Sequence, residues 1–232
     1  MKEYRVTIQM SDETVIALER SGNVLQVFRA VRSSDRAGRP LLWRRQDYSA
    51  RTHVDWSDSL NAYTSTDKIE AGKEIHVGFY AAAAVGDVLR VHAGGGGEVT
   101  ADGDPRAVSV QNTTARYFTC GLGGGAGGEA AAFCAFPLFG NNRQVLMPAE
   151  KIMLRFSTQA IKPGTVMGEY QNAADQTSFG PGVLADLAGA PSRELSYDMN
   201  EGWSWGGYTW ARQISVGADI VPLLIEPDTA AA

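Results

Sequence analysis

Within eight positions, Trp203, Trp205, Tyr208 and Trp210 flank the pair Gly206-Gly207. Two adjacent glycines between alternating residues are a strong short-range signal for a two-residue hairpin turn. In that register Trp205 opposes Tyr208 and Trp203 opposes Trp210, and period-two alternation puts all four rings on one face. Three of the chain's five tryptophans then form a single slab. Flat rings of this kind suit sugar faces and lipid interfaces. Just upstream, Asp198, Asn200 and Glu201 supply hydrogen-bonding groups, and the two acids can also serve general acid–base work. The competing reading is a core strand. Tyr208, Trp210, Ile214 and Val216 share a face broken only by Arg212, and an alternating strand turns its apolar side inward.

The other residues capable of chemistry are scattered. His53, His76 and His92 each stand in a strand-like stretch, with no two close enough to make a local ligand pair. Gly121-Leu-Gly-Gly-Gly-Ala126 has dinucleotide-loop spacing, but a second strand follows it where a phosphate-binding helix should start. Asp102-Gly-Asp104 has too few oxygen ligands for a calcium cage. No Gly-x-Ser-x-Gly elbow occurs, and neither Cys120 nor Cys134 has a histidine nearby. No metal and no cofactor are expected. The two cysteines lie on either side of a glycine-rich loop, so a hairpin centred near Gly127 sets them opposite each other, reduced and buried.

Over about ten residues, Ser196 to Trp205 resembles the Tyr- and Trp-rich headgroup loop of actinoporin-like cytolysins. The resemblance implies a lipid headgroup as ligand. The amphipathic helix that precedes the β fold in those toxins has no counterpart ahead of the first strand here.

The elements that must position these residues are mostly strands. Tyr4, Val6, Ile8 and Met10 alternate with polar residues. Ser11-Asp-Glu-Thr14 then opens a short helix that stops at Ser21-Gly22, with Val15, Ile16 and Leu18 seating it on a sheet. Beyond it, short strands alternate with turns to the end, including stretches at Glu74–Tyr80 and Thr165–Tyr170. The 26 glycines fall mostly between strands. This is the grammar of a mainly β protein, sandwich or barrel-like, with one short N-terminal helix. Residues 1–232 read as a single β-rich domain. A loose echo between Ile75–Val88 and Ile152–Val166 suggests pseudo-repeat halves, 1–121 and 131–232.

Charge is uneven. Residues 1–53 hold ten Lys/Arg against six Asp/Glu, while the remainder is acidic within a net −5. Arg29, Arg32, Arg36, Arg39, Arg44, Arg45 and Arg51 form the basic stretch, but an acidic chain is not expected to bind nucleic acid. No apolar run is long enough for a transmembrane helix, and the N-terminus alternates instead of forming a signal core. The expected location is the cytoplasm, or outside the cell without a cleaved signal.

The leading expectation is a non-enzymatic, lectin- or toxin-like β-sandwich that recognises a glycan or membrane surface through the aromatic hairpin. A second is an enzyme or small-molecule binder with a cavity inside the β fold, lined by His76, Tyr80, Tyr117 and Cys120. A third is self-assembly into a homo-oligomer through strand edges.

Overall fold

The computed structural model describes residues 1–124, 131–168 and 179–228. The alternation at the N-terminus produces strand β1 (Glu3–Gln9), and Tyr4, Val6, Ile8 and Met10 are all buried. Helix α1 (Asp12–Arg20) follows, and the Ser11 hydroxyl accepts a hydrogen bond from Thr14 N at 3.1 Å. That bond satisfies one of the amides a first helical turn leaves open. The chain leaves the helix through Gly22 at φ +68°, a left-handed conformation that suits glycine. Leu18 seats the helix and Val15 is half-buried, but Ile16 is 46% exposed. The inner stripe is set by Thr14 and Leu18, one turn apart, so Ile16 falls on the outer side.

Strands then follow one another: β2 (Val24–Ser33), β3 (Arg39–Pro40), β4 (Arg44–Gln46), β5 (Arg51–Ser57) and β6 (Leu60–Ser65). Next come β7 (Phe79–Ala83), β8 (Val88–Val91), β9 (Gly97–Thr100), β10 (Val108–Asn112), β11 (Phe118–Gly123) and β12 (Cys134–Leu138). The long β13 (Arg143–Ser157) leads to β14 (Phe179–Asp186), β15 (Ser192–Asp198), β16 (Gly202–Ser204) and β17 (Ala211–Ile214). A one-turn helix α2 (Val221–Leu224) and β18 (Ile225–Pro227) close the described chain. With 51% strand against 6% helix, the protein is mainly β. It is sandwich-like, and no barrel closes among the described residues.

Three sheets form. The first orders β16-β15-β1-β5, with β1 parallel to β15 and antiparallel to β5. The second runs β17-β14-β13-β10-β8-β9, with β2 joined to β13 and carrying β4 and β18. The third is β3-β12-β11-β6-β7. Each sheet combines strands from before residue 121 with strands from after 131.

The main core draws on all three sheets: Val6 and Ile8 from the first, Val27 and Leu154 from the second, Ala62 and Phe136 from the third. A smaller core, with Phe28, Ala30, Met153 and Leu184, covers the other face of the second sheet and is capped by Leu224 of α2. Alternation along β2 divides its side chains between the two cores. A strand buried on both faces therefore reads as one apolar run.

Some expected strands are shorter or shifted. Of Glu74–Tyr80, only Phe79 and Tyr80 belong to a strand, and Glu74 makes an isolated bridge to Thr165. Within Thr165–Tyr170, Thr165 and Val166 form only single bridges, and residues 169–170 lie outside the described residues. The turn expected near Gly127 lies outside them as well.

The cysteine register is corrected by two residues: Cys120 opposes Phe136, not Cys134. Both thiols are free and buried, and Cys134 Sγ accepts from Leu122 N at 3.3 Å. Every residue of β11 and β12 is buried, so there is no polar–apolar alternation from which the register could be read. Close packing decides it instead. A Cβ at Gly121 would stand 2.0 Å from the Cys134 carbonyl oxygen, so this approach of the strands requires glycine.

Gly121→Ala is therefore expected to cost about 1–3 kcal/mol by forcing the strands apart, read as a lower denaturant midpoint. Gly94→Ala, where an added Cβ meets nothing within 4 Å, should stay within about 0.5 kcal/mol. Burial pushes the Cys134 thiol up from 9.0 to about 12 and Cys120 well above 9.0. Neither should react with a thiol reagent at pH 8 until the protein unfolds. The thiols' contribution to stability should be complete below about pH 9 and fall as pH rises from there toward 12. Denaturation midpoints that stay flat across that interval would contradict this.

Candidate functional site

The aromatic segment divides between interior and surface. Trp203, in β16, pairs with Tyr197 of β15 and is 4% exposed. Its ring stacks on Phe156 at 5.6 Å and 12°, and Nε1 donates to the Pro181 carbonyl at 2.8 Å. Trp205 is half-buried and donates from Nε1 to the Tyr208 carbonyl at 2.8 Å, while Tyr208 is 66% exposed. Trp210 is half-buried beneath the Arg193 guanidinium, 5.0 Å from its ring centre.

Gly206 and Gly207 both take positive φ, +73° and +74°, so the tight turn is present. The expected hairpin is not. β16 pairs with β15 in the first sheet and β17 pairs with β14 in the second, so the turn carries the chain between sheets. The pairings of Trp205 with Tyr208 and of Trp203 with Trp210 do not occur; Trp203, Trp205 and Trp210 pack against the main core, while Tyr208 is exposed. A turn sets only a local reversal. The partners were decided by burial of Trp203 against Phe156 and by pairing of Ala211 with Ala185.

Asp198 closes the turn before β16, accepting from Asn200 N at 2.7 Å, Glu201 N at 3.1 Å and Thr14 Oγ1 at 3.1 Å. The two backbone N–H groups hold its carboxyl below the usual carboxylate range. The Asn200 and Glu201 residues are exposed. The acids that sequence reasoning set beside the slab thus build a loop.

The histidines do not converge. His53 meets Thr7 Oγ1 at 3.1 Å, His76 meets Asp67 at 2.9 Å, and His92 is exposed. Among the described residues no three metal-capable side chains gather. The basic stretch disperses as well. Arg32 pairs with Glu226, Arg39 donates to the Gly38 carbonyl, and Arg44 lies 4.3 Å over Trp43.

A concave feature lies elsewhere, at the start of β1, where β5 passes to β6 through Asp58 and Ser59. It is a cleft of about 850 Å³. Tyr4 and Trp56, stacked at 5.2 Å and 15°, form one wall with Leu60, and Ala82–Val85 form another. Lys2, Asp58, Asp87, Arg106 and Glu150 also line it, and Arg29 reaches it from the middle of β2. His76, Tyr80, Tyr117 and Cys120, expected to line a cavity, do not contribute.

A bulge in β13 shapes this cleft. Pro148 opposes Val31 and Ile152 opposes Arg29, so three residues of β13 stand against Ala30 alone. Proline cannot donate to a ladder, and bulges re-aim side chains beside sites. Here the bulge presents Glu150, which accepts from Lys2 Nζ at 2.7 Å and Tyr4 OH at 2.6 Å. Desolvation, then the bond to Glu150, raises the Tyr4 phenol above its ordinary value.

Arg29 has no such partner. It is 3% exposed, with its guanidinium carbon 5.1 Å from the Trp43 ring and 4.5 Å from that of Phe133. Its Nε and Nη1 are sealed from solvent and make no hydrogen bond. Burial pushes its pKa down to about 10, with the Arg44 charge lowering it further and Cys134 opposing, so it remains a cation at neutral pH. An uncompensated buried charge costs on the order of several kcal/mol, and each ring contact returns only about 0.5–2. One signal in the sequence pointed here: a lone arginine inside the apolar run Val24–Val31.

No protein family, curated protein or solved structure matches this chain.

The division of the aromatic segment is testable by stability. Trp203→Ala is expected to cost about 3–5 kcal/mol, whereas Tyr208→Ala should change stability by about 0.5 kcal/mol or less. Equal effects in chemical denaturation would contradict the placement of Trp203 in the core.

Proposed function

We propose that this protein binds a small organic molecule in the cleft walled by Tyr4, Trp56 and Leu60. The observation that carries this reading is the cleft itself. Its volume of about 850 Å³ falls in the range of small-molecule sites, and apolar walls with a few placed polar groups are what such sites share. The walls stand on rigid elements: Tyr4 on β1, Trp56 on β5 and Arg29 on β2, all tied into sheets. Rigid placement lowers the ordering cost of binding. The glycan- or membrane-surface reading of the aromatic segment keeps less support. Trp203 is in the core, and Tyr208 is the segment's one aromatic ring that is mostly exposed.

Thermal-shift screening of a small-molecule library should yield compounds that raise the melting temperature and change tryptophan emission through Trp56. A ligand at 100 times its Kd adds about 2.7 kcal/mol of stability. Ala82→Trp, at an exposed position lining the cleft, should fold normally and abolish these shifts. A library with no such compound, or hits that stabilise this variant equally, would sink the proposal.

A further inference from the structure

We infer that the cleft takes an organic monocarboxylate, its single charge held by Arg29 and its apolar body lying against Tyr4, Trp56 and Leu60. This inference rests on the reading of the cleft as a ligand site and adds the chemical class of the ligand. Charge around Arg29 is unbalanced. Arg29 makes no hydrogen bond or ion pair with a described residue, although it is almost wholly buried. Buried charges in folded proteins are normally paired. Trp43 and Phe133 attract the guanidinium through their π faces but offer no acceptor to its N–H groups. With Nε and Nη1 sealed, Nη2 is the guanidinium nitrogen that is neither sealed nor bonded. An oxyanion arriving through the cleft supplies an acceptor to Nη2 and a countercharge to the guanidinium as a whole, and arginine is well suited to carboxylates.

The rest of the lining argues for one negative charge instead of two. The other cations are committed, Lys2 to Glu150 at 2.7 Å and Arg106 to Asp104 at 3.4 Å. Asp58, Asp87 and Glu150 add negative charge to the same cleft. A phosphate dianion would meet one uncommitted cation beside Asp58 and Asp87, the two lining acids left once Glu150 is paired with Lys2. A carboxylate matches that cation and leaves an apolar remainder for the aromatic wall.

The test compares octanoate and 4-phenylbutanoate with their primary amides, which keep the body and remove the charge. Dissociation constants come from titration calorimetry on the full chain. Each acid should bind at least tenfold tighter than its amide, and Arg29→Met should reduce that preference to near unity. Phenyl phosphate should bind more weakly than either acid. Acids and amides of equal affinity for the wild-type protein would overturn the inference whether or not the Arg29 variant folds. Tighter binding of phenyl phosphate would overturn the assignment of a single charge. If neutral compounds bind in a manner blocked by Ala82→Trp while the acids do not, the carboxylate inference alone falls. If nothing binds in the cleft, the reading of the cleft falls with it.

Discussion

The antiparallel ladder between β2 and β13 is the constraint on which the other features rest. It runs from Val24 opposite Ser157 to Arg32 opposite Met147, and both cores lie against it, one on each face. Because both faces are covered, every second side chain of β2 must satisfy a different interior. Its irregularity matters as much as its extent. Three β13 residues face Ala30 alone, and the ladder resumes with Ile152 opposite Arg29. The break brings Glu150 to Lys2 and Tyr4 at the cleft while β2 keeps its alternation. A regular ladder here would turn the same side chains to other faces.

Two buried arginines show how differently the two faces of that ladder treat charge. Arg155, on the side of the smaller core, donates from Nε to Gln26 Oε1 at 2.9 Å and lies 4.9 Å over Phe28. Arg29, on the side of the main core, has aromatic rings beside it and no acceptor. Burial is nearly equal, at 2% and 3% exposure, so depth does not explain the contrast. The difference is the partner of Nε: Gln26 serves that of Arg155, whereas that of Arg29 meets no acceptor among the described residues.

The aromatic segment shows where local and global influences part. Its glycine turn forms with the backbone signs that two adjacent glycines favour. The strands on either side nevertheless join different sheets, because Trp203 is buried against Phe156 and Tyr197, and Ala211 beside Ala185. Tight turns bring neighbours together only when no better partner is available to each flank.

What the sequence determined by itself was local. The alternation of Tyr4 to Met10, the Ser11 cap and Gly22 exit of α1, the positive φ at Gly206 and Gly207 and the predominance of strands all follow from period, capping chemistry and glycine freedom. These depend on residues a few positions apart, so a single chain displays them. Only the tertiary structure decided the pairing of β16 and β17, the register of Cys120 and the position of Ile16. It also decided the candidate site. Lys2, Arg29, Trp56 and Glu150 are far apart in sequence and carry no shared motif, and Arg29 read as one member of a basic stretch. Their meeting depends on which fully buried strands pack together and on one bulge. Where both faces of a strand are apolar, the sequence offers no alternation from which to read either.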